Sequence, residues 1–239
     1  MTTIGPTLTT ARLILRPPTQ ADFDGFASMA QEVETMRFIG GVAPRDAAWR
    51  LMATLTGAWS LLGYSMFSVL KRETGEWVGR LGPWRPGGKE GGWPGDEVGW
   101  GLKRSAMGQG YALEGAAAAI DWAFDHLGWE HVIHCIDKQN APSTKLALRL
   151  GSQLEREDVV LAPPFEAHKV DLYGQSKAQW RARPRSTATR IAVANKASAG
   201  CRSSSLIVVV VPALQREADR PGHQDQSCAG EKAVHGIEG

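Results

Sequence analysis

Polar and apolar residues alternate over residues 12–16 (RLILR), the period-two signature of a strand with one face buried. Thr19 then offers a helix N-cap, and Phe23, Phe26, Met29 and Ala30 come next at helical spacing. Ala48, Leu51, Leu55, Ala58, Trp59 and Leu62 share one helical face, so a second helix is expected over 44–62. Residues 66–70 and 76–81 read as two strands joined at 71–75, a hairpin connection containing Gly. The stretch 83–95 (PWRPGGKEGGWPG) is dense in Gly and Pro and is expected to be loop. A short strand is expected at 97–102 (EVGWGL), its glycines marking a bulge or a close backbone approach. A long helix over 111–127, a strand over 132–136, a helix over 142–150 closed by Gly151, and a last strand at 170–173 complete the pattern. Hairpins fill the first half and strand–helix alternation the second. This predicts a mixed α/β (α+β) layer fold on one central sheet.

Composition narrows the class. The chain has 239 residues, room for one sizeable domain or a domain with an appendage. With 43% hydrophobic and 22% charged residues it has a globular make-up, which excludes a mostly disordered chain or a collagen-like repeat. A net charge of +2 gives no bulk basic field, so no nucleic-acid partner is expected. Three cysteines without a C-x-x-C pair argue against a disulfide framework or a structural zinc site, and no metal is expected. The opening MTTIGPTLTTARL lacks the basic start and apolar core of a secretory signal, which points to a reducing cytoplasm. The longest apolar run, 206–211, is far short of the roughly 20 residues that cross a bilayer, so no membrane association is expected. Aromatic residues stop at Trp180, and residues 181–239 carry nine Lys/Arg against five Asp/Glu. A domain over 1–183 and a disordered extension over 184–239 are therefore expected. A strand at 204–211 is the alternative for that extension.

The stretch 97–115, EVGWGLKRSAMGQGYALEG, reads as strand, glycine loop and helix. Gly108 and Gly110 let backbone N–H groups approach a ligand, and the helix after them presents unpaired N–H groups and its positive dipole end. That is a phosphate or pyrophosphate site in outline. It is not the dinucleotide fingerprint, because Leu113 stands where a third glycine would, and it lacks the G-K-[ST] of a Walker loop. A second constellation, Asn140-Ala-Pro-Ser143, opens the helix after strand 132–136; Asn140 suits an N-cap, and with Ser143 it also suits a ligand lying between splayed strands.

Six pieces in order resemble the GCN5-related N-acetyltransferases (GNAT), and within them the ribosomal-protein-alanine acetyltransferase-like group. They are TARLILRPPTQADFDGF, GEWVGRLGPW, EVGWGL, GQGYALEG, NAPSTKLALRLG and VDLYGQSKAQW, and together they span about residues 10–180. The resemblance implies a mostly antiparallel central sheet with helices on both faces, whose fourth and fifth strands splay to admit acetyl-CoA as co-substrate. By position, Gly108, Gln109, Gly110, Tyr111 and Ala112 would donate to the pyrophosphate. Trp100 and Leu102 would pair their backbone with the pantetheine arm, and Asn140 and Ser143 would touch the pantetheine or the thioester sulfur. The implied chemistry is direct attack of a neutral amine on the thioester, with a base taking the amine proton and a backbone N–H stabilising the oxyanion. The tyrosine that many members carry seven residues after the Asn is Ala147 here, which leaves Ser143 as the substitute proton donor.

Asp96 and Glu97 are the candidate bases. Adjacent strand residues point to opposite faces, so one of them looks into the cleft, and the resemblance favours Glu97. His134 is a further candidate relay or a structural residue, and Cys135 should point away from it. The acceptor is expected to be a primary amine, on a protein N-terminus or a small molecule, shaped by residues 85–95 and 162–167. A homodimer stays open. The competing functions are a dinucleotide oxidoreductase, which the missing glycine disfavours, and an acyl-CoA-binding regulatory module without turnover.

Overall fold

The computed structural model describes residues 4–88, 91–163, 165–166, 169–183 and 192–194. Two short strands, β1 (Thr7–Thr9) and β2 (Leu13–Arg16), open the chain. Three helices come after them, α1 (Phe23–Ala30), α2 (Val33–Met36) and α3 (Arg45–Leu62). Next are β3 (Phe67–Lys71), β4 (Trp77–Trp84) and β5 (Glu97–Leu102). The second half alternates: α4 (Tyr111–His126), β6 (His131–Ile136), α5 (Ala141–Leu150), β7 (Gln153–Val160), β8 (Lys169–Ser176), α6 (Lys177–Ala182) and β9 (Ala192–Ala194). The sheet order is β7-β8-β6-β5-β4-β3-β2-β1-β9, antiparallel throughout except for the pair β5–β6. The mixed fold with a mostly antiparallel sheet is therefore as the sequence implied. Because two strands precede β3, the fourth and fifth strands of the resemblance are β5 and β6.

Local chemistry explains the elements that frame the centre of the sheet. Along α4, Ala116, Ala117, Ala119 and Ile120 are buried in one cluster with Leu13, Leu15, Phe67, Val69 and Leu81. Small side chains let the helix lie close to the strands. On the opposite side Phe26, Met29, Met52, Leu55 and Met66 form a second apolar cluster. Asp22 joins the sheet to that layer: its carboxylate takes two hydrogen bonds from Arg16, at 2.7 and 2.8 Å, and one from Ser68 at 2.9 Å.

Two expectations change. The loop expected from residue 83 begins later, because β4 runs on to Trp84, with Pro83 opposite Val98 and Trp84 opposite Glu97. Proline is tolerated there because the pairing with β3 stops at Leu81, opposite Phe67 where β3 begins, so beyond it β4 is an edge on that side, with no partner for the missing N–H. Second, β9 adds a strand beyond Arg183, paired with β1. Apart from residues 192–194, the extension 184–239, with the alternative strand at 204–211, lies outside the described residues. Among the described residues no helix is long and apolar enough to cross a membrane.

Candidate functional site

The pair β5–β6 is joined at one register point, Glu97 opposite Ile133, with the Ile133 N–H donating to the Asp96 carbonyl at 2.9 Å. Beyond it β5 keeps to β4 as far as Leu102, and β6 keeps to β8 as far as Ile136. The strands part, and their facing backbone groups need other partners. Side chains meet part of that need. His134 Nδ1 lies 2.7 Å from the Val98 carbonyl, and Glu97 Oε1 accepts from the Cys135 N–H at 3.2 Å. The carbonyl can only accept, so Nδ1 carries the proton; the other ring nitrogen, Nε2, lies 3.1 Å from Ser152 Oγ. The ring is 1% exposed, and burial pulls its pKa down to about 4. His134 is thus a neutral wedge at the fork, with both nitrogens engaged.

On the α4 side the fork opens into a groove of about 670 Å³, bordered by Trp100, Leu102, Gly108, Gly110, Tyr111 and Ala112, with α5 opposite. Gly108 and Gly110 have φ of 75° and 80°, a left-handed backbone that side chains resist, and a Cβ at 108 would project into open space. Gly110 caps α4, so the N–H groups of its first turn face the groove unpaired. The loop is held from behind. Glu114 accepts from the Thr10 hydroxyl (2.6 Å), the Arg12 N–H (2.8 Å) and Arg12 Nε (2.7 Å), while Arg12 Nη1 donates to the Gln109 carbonyl at 2.9 Å. Gln109 itself is not among the groove-lining residues; its side chain donates to the Ser105 carbonyl at 2.8 Å.

A second cavity, of about 330 Å³, lies at the other mouth of the fork. Trp100, Asn140 and Ser143 border both, as do Arg37, Phe38 and Ile39 beyond α2. Asn140 caps α5 through the Ser143 N–H (3.2 Å), and Ser143 Oγ accepts from Trp100 Nε1 at 3.1 Å. That leaves the hydroxyl proton free to be donated. Of the two adjacent carboxylates, Asp96 pairs with Arg85 at 2.8 Å and Glu97 faces the cavity. Glu97 is 5% exposed, and Trp93 Nε1 donates to its Oε2 at 2.7 Å. Burial, opposed by its hydrogen bonds, pushes its pKa up to about 7. Cys135 lies on the Glu97 side of β6, away from His134, and burial pushes its thiol up. Ala147 is buried against Ile136 and Tyr173 and offers no proton donor.

All the candidate residues except Gln109 and Asp96 border one or both cavities. Sequence reasoning missed the roof, Arg37, Phe38 and Ile39, and the Trp93 indole that clamps Glu97. Their one signal was an apolar pair, Phe38 and Ile39, just ahead of two glycines.

Known proteins share this chain's sequence family and fold. The acetyltransferase (GNAT) domain family model matches residues 12–153. The uncharacterized N-acetyltransferase p20 of Bacillus licheniformis is 30% identical over 151 residues, which are 62% of this chain and 83% of that protein. The crystal structure of an acetyltransferase from Agrobacterium tumefaciens superposes with a TM-score of 0.62 at 28% identity, covering 72% of this chain and 95% of that one. Mycobacterium smegmatis RimJ, solved in complex with CoA-disulfide, shares the fold at 16% identity, with a TM-score of 0.58 over 73% of this chain and 91% of its own. The family match covers more than half of the sequence, and the chain belongs to the GNAT family of acetyl-CoA-dependent acetyltransferases.

Proposed function

We propose that this protein transfers the acetyl group of acetyl-CoA to a primary amine by direct attack, with Glu97 as the general base. One observation carries the reading: a buried carboxylate with a pKa of about 7 faces a cavity that meets the phosphate-type groove at Trp100 and Ser143. The left-handed glycines and the open first turn of α4 suit a pyrophosphate, and the unpaired edge of β5 suits an extended amide-bearing arm. Gly108, Gly110, Tyr111 and Ala112 would hold the pyrophosphate, with Gln109 contributing at most its N–H. Trp100 and Leu102 would hold the arm through their backbone, and Asn140 and Ser143 would stand at its end. Bound acetyl-CoA supplies the activated acyl group.

The chain's own residues manage protons. A base whose pKa lies near neutrality is partly ionised at working pH and still takes a proton readily. Glu97 meets that condition because it is buried, and the indole and amide that bind it fix its direction. Ser143, fixed by Trp100 and by the Asn140 cap, holds a proton for the leaving sulfur.

The test is calorimetric titration of the full chain with acetyl-CoA, and then amine-dependent thiol release over a panel of small amines and N-terminal peptides. Saturable binding and release with one acceptor class are expected. Binding without release for any amine would refute the transferase reading.

A further inference from the structure

Arg80 lies in the middle of β4 and has no part in the proton handling above. It is 7% exposed and borders the 330 Å³ cavity. Its register partner on β5 is Gly101. Glu97, Gly99 and Gly101 alternate along β5, so Arg80 and Glu97 face the same side of the sheet. Between them β5 carries no side chain, and Met66 Cε and Ile39 Cδ1 lie over the two glycines, 2.9 Å from where a Cβ at 99 and at 101 would stand.

The guanidinium is poorly matched by its surroundings. Nη1 points at the Met66 sulfur at 2.8 Å, a weak acceptor, and Nε has no hydrogen-bond partner among the described residues. The Phe26 ring centre is 5.7 Å away. No carboxylate pairs with Arg80 among the described residues, whereas Arg16 is held bidentately by Asp22. Burial pulls its pKa down to about 10, so it stays charged at neutral pH. A buried cation without an anion is costly, and an apolar residue would pack against Phe26 and Met66 without that cost. An anion brought by a ligand removes the mismatch.

We propose that the acceptor is a small amine that also carries a carboxylate, and that Arg80 binds the carboxylate while Glu97 faces the amine. This rests on the transferase reading and narrows its substrate class. A planar carboxylate matches the guanidinium fork. A dianionic phosphate suits the cavity less, because Glu97 and Asp137 also border it.

The experiment uses the full chain, acetyl-CoA and paired acceptors, amino acids against their own amides, compared at equal concentrations of neutral amine. Wild type is expected to favour the carboxylates by roughly 10- to 100-fold in kcat/KM. Arg80→Met should abolish that preference through KM and spare turnover of the amides, and Arg80→Lys should restore part of it. Equal or better use of the amides by wild type overturns the proposal, as does an unchanged ratio in a folded Arg80→Met. Should Arg80→Met not fold, the wild-type ratio decides alone. Acetyl-CoA titration of the same sample separates the two readings. Loss of acetyl-CoA binding overturns the transferase site itself, whereas binding with no carboxylate-bearing amine accepted overturns only the assignment of Arg80.

Discussion

Replacing Glu97 with Gln keeps the side-chain length and an acceptor for Trp93 or Cys135, and removes the titration. The carboxyl moves from an ordinary 4.5 to about 7 on folding. Each tenfold change in proton affinity corresponds to about 1.4 kcal/mol, so the ionised carboxylate costs the fold about 3 kcal/mol. Linkage sets the sign. A carboxyl whose folded pKa is raised contributes its full stability below pH 4.5 and loses it as pH rises through 7. The protonated acid, like the amide, keeps one carbonyl oxygen as acceptor and turns a donor-bearing group toward the other neighbour. Glu97→Gln should therefore match wild type near pH 4.5 and gain up to about 3 kcal/mol by about pH 8. For a domain of this size that is roughly 6–12 °C in Tm. The difference between the two proteins isolates this group, because His134 titrates in both.

Activity should move the other way. Without its base the variant should lose roughly 10²- to 10⁴-fold in kcat/KM, and the rise of kcat/KM with an apparent pKa near 7 should vanish. Thermal melts from about pH 4.5 to 8 and thiol-release kinetics over the same range supply both curves. A stability difference that does not change with pH would refute the raised pKa. Wild-type kinetics with the ascending limb intact would refute the base assignment.

Three further outcomes are expected. Ser143→Ala should lower kcat about tenfold and leave acetyl-CoA affinity within a few-fold, because it removes a proton donor and frees the Trp100 indole; calorimetry and kinetics check the two halves. Gly108→Val forces a branched residue into a left-handed backbone at a cost of about 1–2 kcal/mol, and should weaken acetyl-CoA binding measured by calorimetry even though the site has room for the side chain. His134 lies at about 4, below its unfolded 6.5, so its stability is present above pH 6.5 and is lost as pH falls through 4. His134→Gln should accordingly be destabilised at about pH 7 by about 1–3 kcal/mol, and its melts should lack the acid-side loss of about 3 kcal/mol.

The parts of the site that were legible in the sequence are those where backbone geometry dictates residue type. Glycines at 108 and 110 and an Asn cap at 140 announce a loop and two helix starts whatever surrounds them. β7 left no such mark. Its residues are nearly all exposed, so an edge strand reading QLEREDVV shows no alternation. α2 and α6, at four and six residues, are too short for a helical period to emerge. The choice between Asp96 and Glu97 needed the partner of each: Arg85 for one, Trp93 and the Cys135 amide for the other. Arg80 was visible as a charge inside an apolar strand. Its lack of a counter-ion depends on residues far away in sequence, and no local pattern carries that.

The fork between β5 and β6 ties the placement of the base to the opening of the sheet. Parting two central strands leaves a carbonyl at Val98 and an amide at Cys135 without backbone partners, and each buried unpaired group would cost about 1–3 kcal/mol. His134 caps the first and Glu97 caps the second, and both border the cavity. The two substitutes differ in what burial does to them. Burial makes the imidazole neutral, so it holds the carbonyl at every pH above about 4 and takes no proton near neutrality. Burial makes the carboxyl indecisive, so the group that caps the Cys135 amide can gain or lose a proton at working pH. A strand pair that closed fully would satisfy the Cys135 amide through backbone, and Glu97 would then have neither an anchor at this depth nor a cavity to face.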